Sequence, residues 1–142
     1  MLSTHLRIIF FRSQVIHDNF VIIQEEVHNY NGVIKEFSAD DKGAVVVCAF
    51  GIAPLVGQEH ELRATLSSIA IMQKIIELQE ETDADTTITM GFGIATGQVF
   101  ITCFGDSLRR EFALVGDVVN SAARTASIAS KGGSILLGKS TW

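Results

Sequence analysis

At 142 residues the chain fits a single domain with enough length to bury a real core. Apolar residues make up 47% of it and charged residues only 19%, which excludes an intrinsically disordered polymer. A net charge of −5 excludes general attraction to nucleic acid or to an anionic membrane, so a polyanionic ligand would need a local cluster of cations.

Residues 6–11 form an apolar run broken only by Arg7, which reads as a buried central strand. Polar Ser13 and Gln14 follow at once, so the opening is too short for a secretory signal. Over 15–30, Ile16, Phe20, Ile23, Val27 and Tyr30 recur at three and four, the period of an amphipathic helix. Asn31-Gly32 ends it, with glycine expected to take the left-handed cap position. Residues 33–39 and 44–50 then read as two strands of a hairpin around Asp40-Asp41-Lys42-Gly43. A loop over 51–57 holds the only proline, Pro54.

A second helix is expected over 59–80, with Leu62, Leu66, Ile69, Gln73 and Ile76 as its helically spaced stripe. A polar linker, 82–85, closes it. Residues 86–94 alternate as a half-buried strand, Ile88, Met90, Phe92 and Ile94 on one side and Thr87, Thr89, Gly91 and Gly93 on the other. Thr96-Gly97 should turn the chain into a strand over 99–104. A short strand at 112–115, a helix, the turn Lys131-Gly132-Gly133 and a strand over 134–137 complete the order.

Strands in hairpins separated by helices predict an α+β fold. The expected form is a ferredoxin-like βαββαβ core with additional strands, a mixed or antiparallel sheet and helices on one face. Residues 1–142 read as one domain without repeat or linker, and the stop at Trp142, soon after the last strand, suggests that closing strands lie outside it. No apolar run approaches the ~20 residues of a membrane span. Cys48 and Cys103 each fall in an apolar run, so buried, reduced thiols in a cytoplasmic setting are expected. They lack the spacing of a zinc site.

The informative stretch is 109–125, RREFALVGDVVNSAART. A strand turns at Gly116 into a helix for which Asp117 is the expected N-cap. Val119, Ala122, Ala123 and Ala126 form a small-residue stripe suited to close packing on a sheet. Asn120 and Arg124 are four apart and project together from the other face. Such pairs are commonly just solvated, yet an amide beside a guanidinium can hold a sugar and a phosphate chain.

Arg110-Glu111-Phe112, the strand, Gly116-Asp117-Val118-Val119-Asn120 and Ala122-Ala123-Arg124 together resemble the signature of the class III nucleotidyl cyclases. The resemblance extends over nearly all the chain. Gly91-Phe92-Gly93-Ile94-Ala95-Thr96-Gly97 with Gly105, Asp41-Lys42-Gly43 and Phe50-Gly51 look most similar to the second catalytic half of the bicarbonate-responsive soluble adenylyl cyclases.

This resemblance implies paired domains with the active site at their interface. One half brings two aspartates for two Mg2+ or Mn2+ ions, and the other reads the base and orients the nucleotide. The first aspartate would follow the opening strand, where this chain reads Phe10-Phe11-Arg12-Ser13; the second falls near Asp40-Asp41, read here as turn residues. No metal ligands are therefore assigned, and both ions are expected from a partner half. By resemblance Asn120 orients the ribose and Arg124 stabilises charge on the α-phosphate and the leaving pyrophosphate.

Base reading belongs at Ala113 and at a lysine on the second strand. Lys35 is the candidate, but an ungapped register places Glu36 there instead. Alternation along a strand lets only one of the two face the base. A methyl group at Ala113 exchanges no hydrogen bond with a purine, which opens the choice between ATP and GTP. The leading expectation is a half-domain making cyclic AMP from ATP. The alternatives are a cyclase-like dimerisation or nucleotide-sensing module without catalysis, and an unrelated ferredoxin-like binding domain.

Overall fold

In the computed structural model the opening apolar run becomes the middle strand of a five-stranded sheet. The structure describes residues 2–10, 16–41, 43–55, 57–82 and 88–141. Within these the chain runs β1 (Leu2–Phe10), α1 (Ile16–Asn29), β2 (Gly32–Asp40), β3 (Gly43–Phe50), α2 (His60–Glu81), β4 (Met90–Gln98), β5 (Phe100–Gly105), β6 (Arg110–Val115), α3 (Asp117–Ala129) and β7 (Ile135–Leu137), then a 3₁₀ turn at Lys139–Thr141. The sheet order is β2-β3-β1-β4-β7, antiparallel except where β7 joins β4 in parallel. β5 and β6 form a separate two-stranded sheet. The expected α+β class and mixed sheet are both present. Part of the strand expected over 86–94 and of the linker over 82–85 lies outside the described residues, as do Phe11 to Ser13.

β1 pairs with a strand on each side, which explains its length. It begins at Leu2 rather than residue 6, and Ser3, Thr4 and His5 are fully buried despite their polarity. β4 likewise runs straight through Thr96-Gly97 to Gln98, so the expected turn there does not form. The main core lies on one face of the sheet. Leu6, Ile8, Val46, Cys48, Phe50, Phe92 and Ile94 meet Ile23 and Val27 of α1 and Ile71 and Ile75 of α2. Each such side chain contributes roughly 1.5–3 kcal/mol by leaving water. Glu26 of α1 ion-pairs with Lys74 of α2 and ties the two helices together.

The helices do not all share that face. On β4, Met90, Phe92 and Ile94 point to α1 and α2, while Gly91 and Gly93 point the opposite way, against α3. A Cβ on Gly93 would sit 2.2 Å from the backbone nitrogen of Ala126 and 2.4 Å from the carbonyl oxygen of Ala122. The glycines thus bare a second face of the sheet, and the Ala122–Ala126 stripe settles directly on it. β4 is buried on both sides as a result, rather than half-buried.

Helix α2 also differs from expectation. Its buried residues are Ala64, Ser67, Ser68, Ile71 and Ile75, while Leu62, Leu66, Ile69 and Ile76 are exposed. Periodicity identifies residues that share a face; it does not say which of two faces the sheet accepts. At the end of α1 the left-handed residue is Asn31 (φ 57°), not Gly32. Asn tolerates that conformation, and Gly32 instead opens β2, where a Cβ would strike the Phe50 ring at 2.5 Å. Cys48 is buried, and burial pushes its thiol pKa well above the usual range. Cys103 is exposed, against expectation, because neither face of the β5–β6 sheet is covered by another strand layer.

Candidate functional site

The candidate site is built on α3. The small residues Val118, Ala122, Ala126 and Ala129 are buried against the sheet, with Val118 replacing Val119 as the first residue of the packed stripe. Gly116 is the N-cap, and no side chain caps the helix; Asp117 is its first helical residue rather than its cap. In the first turn Asp117 still complements the positive end of the helix dipole. Asn120 and Arg124 lie one turn apart and both are exposed. Arg124 Nη2 donates to Ser121 Oγ at 3.4 Å, and no carboxylate pairs with Arg124 among the described residues. Most of its guanidinium donors are therefore free to meet an anion.

Beside the start of α3 lies an open cleft of about 550 Å³, lined by Thr96, Gln98, Phe100, Val115, Asp117 and Ser121 among others. Its floor is held by a buried chain of hydroxyls. Thr96 Oγ1 bonds Thr4 Oγ1 at 2.8 Å, and Thr4 Oγ1 also meets His60 Nδ1 at 2.9 Å. Ser140 Oγ donates to the Thr96 carbonyl at 2.6 Å. Hydroxyls, amide and helix start make this a polar recess with one aromatic wall.

The other sequence-derived candidates are placed apart. Ala113, half-buried on β6, stands directly opposite Thr102 of β5. Lys35 lies on β2, the far edge of the main sheet, three strand positions from β4 and so roughly 14 Å away. Within one chain, then, Asn120 and Arg124 are neighbours while Lys35 does not join them in one pocket.

The choice between Lys35 and Glu36 takes an unexpected form. β2 carries a bulge: Ile34 pairs with Cys48 and Glu36 with Val47, leaving Lys35 as the extra residue. Ile34 packs on the core and Phe37, one residue beyond the bulge, meets the Phe20 ring of α1. Two consecutive residues therefore separate core-facing neighbours, and strict alternation fails here. Lys35 and Glu36 both lie on the α3 side of the sheet, and both are exposed. The register extends that row from Glu36 through Val47 and Arg7 to Gly93 beneath α3.

Arg7 is the residue that sequence reasoning passed over. It is half-buried on this face, and its Nε finds no acceptor among the described residues. The available signal was a single charge inside an apolar strand, which leaves the water-rich face as its only comfortable side.

No group of three His, Cys, Asp or Glu could hold an ion among the described residues. Asp40 is exposed at the hairpin, where its Oδ1 accepts from the Gly43 N–H at 3.1 Å, an ordinary turn contact. No helix among the described residues is long and apolar enough to cross a membrane.

The family described as "Adenylate and Guanylate cyclase catalytic domain" matches residues 34–142. The chain belongs to that family.

The cyclase domain is 32% identical over 121 residues to an uncharacterized protein of Mycobacterium tuberculosis, and 29% identical over 124 residues to another from the same organism. Those matches take in 85% and 87% of this chain but only 19% and 21% of the relatives, so the cyclase domain spans about a fifth of their length. Among solved structures it is similar to the guanylate cyclase domain of RhGC from Catenaria anguillulae in complex with GTP. The TM-score is 0.78 at 22% identity, over 99% of this chain and 79% of that one. It is also similar to the adenylyl cyclase CyaB from P. aeruginosa, with TM-score 0.77 at 21% identity over 99% and 80% of the two chains. At these identities the likeness concerns the fold.

Proposed function

We propose that this cyclase domain is the substrate-orienting half of a nucleotidyl cyclase, similar to the second half of the soluble type. It converts ATP to cyclic AMP and pyrophosphate in the cytoplasm, at a site shared with a second cyclase domain. The observation that carries the reading is the Asn120–Arg124 pair, held on adjacent turns of a helix whose inner face is seated on bare glycines. In the reaction the ribose 3′-oxygen bonds to the α-phosphorus, the bond to the bridging oxygen breaks, and the hydroxyl proton passes to solvent. Asn120 holds the ribose so that the 3′-oxygen lines up with the phosphorus. Arg124 gives its unpaired donors to the α-phosphate and pyrophosphate oxygens as charge grows on them. Carboxylates of the partner half would hold two Mg2+ or Mn2+ ions, which would supply Lewis acidity to the reaction.

The β5–β6 hairpin supports the need for a partner. Phe100, Phe104, Leu108 and Phe112 are 60–92% exposed on it, and an isolated two-stranded ribbon is marginal in water. Ala113 favours a second reading, a module that pairs and binds nucleotide without catalysis, because its methyl group makes no hydrogen bond to a base. Lys35, on the same side of the sheet as α3, is the proposed base contact reached across the paired assembly.

The test is cyclic nucleotide production with manganese and either ATP or GTP, from this domain alone and mixed with a metal-competent cyclase half. Activity is expected only in the mixture, higher with ATP, and about a hundredfold lower on Arg124→Ala. Silence in a mixture whose pairing is shown by sedimentation would leave the non-catalytic module. Higher turnover of GTP would correct the base assignment.

A further inference from the structure

The fold leaves one hydroxyl of the β5–β6 hairpin unused. Strand register sets three rungs on one face of this ribbon: Phe100 against Val115, Thr102 against Ala113, and Phe104 against Glu111. Both phenyl rings are largely exposed, whereas the Thr102–Ala113 rung between them is half-buried. Thr102 Oγ1 has no hydrogen-bond partner among the described residues. By contrast Thr4, Thr65, Thr96, Thr125 and Thr141 each spend their hydroxyl inside the fold. A half-buried hydroxyl with no partner is set to receive one from outside the chain.

The position of this hydroxyl relates it to the cleft beside α3. Phe100 and Val115, the first rung, line that cleft together with Asp117 and Ser121 of the helix. The Thr102–Ala113 rung is the next on the same face, about 7 Å further along the strands, and so borders the mouth of the cleft. Residues directly opposite on antiparallel strands hold their Cβ atoms about 4.5–5.5 Å apart. A ligand edge that approaches the Ala113 methyl therefore meets the Thr102 hydroxyl as well.

We propose that Thr102 supplies the base contact that Ala113 lacks, its hydroxyl hydrogen-bonding the purine edge of the nucleotide. This rests on the reading above, in which residue 113 faces the base. A hydroxyl both donates and accepts, whereas a carboxylate only accepts. Thr102 accepts from the amino group of adenine, or donates to the carbonyl oxygen of guanine, and so holds either purine with little preference. Phe100 and Phe104 flank it two residues away on each side. Once the partner half covers that face, water is excluded and the bond strengthens.

Binding rather than turnover tests this. The probe is ATP with a methylene in place of the α–β bridging oxygen, which cannot release pyrophosphate, followed by the same analogue of GTP. Each is titrated calorimetrically, with manganese, into this domain saturated with a metal-competent cyclase half. Thr102→Val removes the hydroxyl and keeps a branched side chain suited to a strand. It should weaken both analogues about three- to tenfold. Thr102→Ser keeps the hydroxyl and should bind within about twofold of wild type. Thr102→Val with Ala113→Thr moves the hydroxyl across the rung and should recover most of the loss. Wild-type affinity in Thr102→Val would overturn the proposal. So would a Thr102→Ser variant as weak as Thr102→Val, or a double variant no tighter than it. Loss of pairing by sedimentation in Thr102→Val would make the residue an interface contact and overturn the assignment too. A pair that shows the expected binding pattern yet makes no cyclic nucleotide would remove catalysis from the reading above and leave Thr102 in its role. No binding by the wild-type pair would overturn both.

Discussion

Replacing Gly93 by alanine tests whether the glycines of β4 set the position of the functional helix. The added Cβ would lie 2.2 Å from the Ala126 nitrogen, 2.4 Å from the Ala122 oxygen and 2.7 Å from the Ala126 Cα. All three are backbone atoms of α3, so no side chain can swing aside. Ordinary contact begins near 3.5 Å, so the helix has to lift by roughly an ångström. Alanine would recover about 0.5–1 kcal/mol of chain entropy relative to glycine. Overpacking against a fixed backbone costs about 1–3 kcal/mol, with the upper end expected here. The net loss should lower Tm by several degrees. Because α3 carries Asn120 and Arg124, an ångström of displacement should also reduce turnover in the mixed assay by about a hundredfold. Gly132→Ala is the control, since nothing lies within 4 Å of its added Cβ. Wild-type melting and wild-type turnover for Gly93→Ala would refute this account of the packing.

Two further outcomes follow from particular residues. Burial lowers the His5 pKa to about 4, below its ordinary 6.5, and its Nε2 has no partner among the described residues. The unfolded chain therefore takes up a proton that the folded chain refuses. Stability from this group is complete above pH 6.5 and falls by about 1.4 kcal/mol per pH unit as pH drops towards 4. Urea denaturation from pH 7 to 5 should show that slope in the wild type and lose it in His5→Gln; parallel profiles would contradict the assignment. On the β5–β6 hairpin, Phe104→Ser with Phe112→Ser should change the melting of the free domain little, both rings being exposed. The same variant should weaken pairing with a metal-competent cyclase half at least tenfold by sedimentation, and unchanged pairing would remove the hairpin from that interface.

Most elements were legible because their signals are local. The period of α1, the glycine turn between β2 and β3 and the apolar runs of β3 and β6 each depend on residues a few positions apart, and all appear where the sequence places them. The Asn120–Arg124 pair was legible for the same reason: four residues on a helix are neighbours whatever surrounds them. Tertiary structure decided what depends on distant residues. Ser3, Thr4 and His5 are strand because β4 pairs with all three and β3 with Thr4 and His5, although their polarity alone argues against it. α2 turns its alanine and serine side inward because that side fits close against the sheet and α1, leaving the leucines out. α3 crosses to the second face because two glycines of β4 open room there for its backbone. The bulge at Lys35 cannot be read from alternation, since it exists only in the pairing of β2 with β3. The sequence by itself determined where most of the helices and strands lie and which pair projects from α3, but not how far β1 and β4 extend. Which faces meet was decided by the tertiary structure alone, because close packing compares surfaces that lie far apart along the chain.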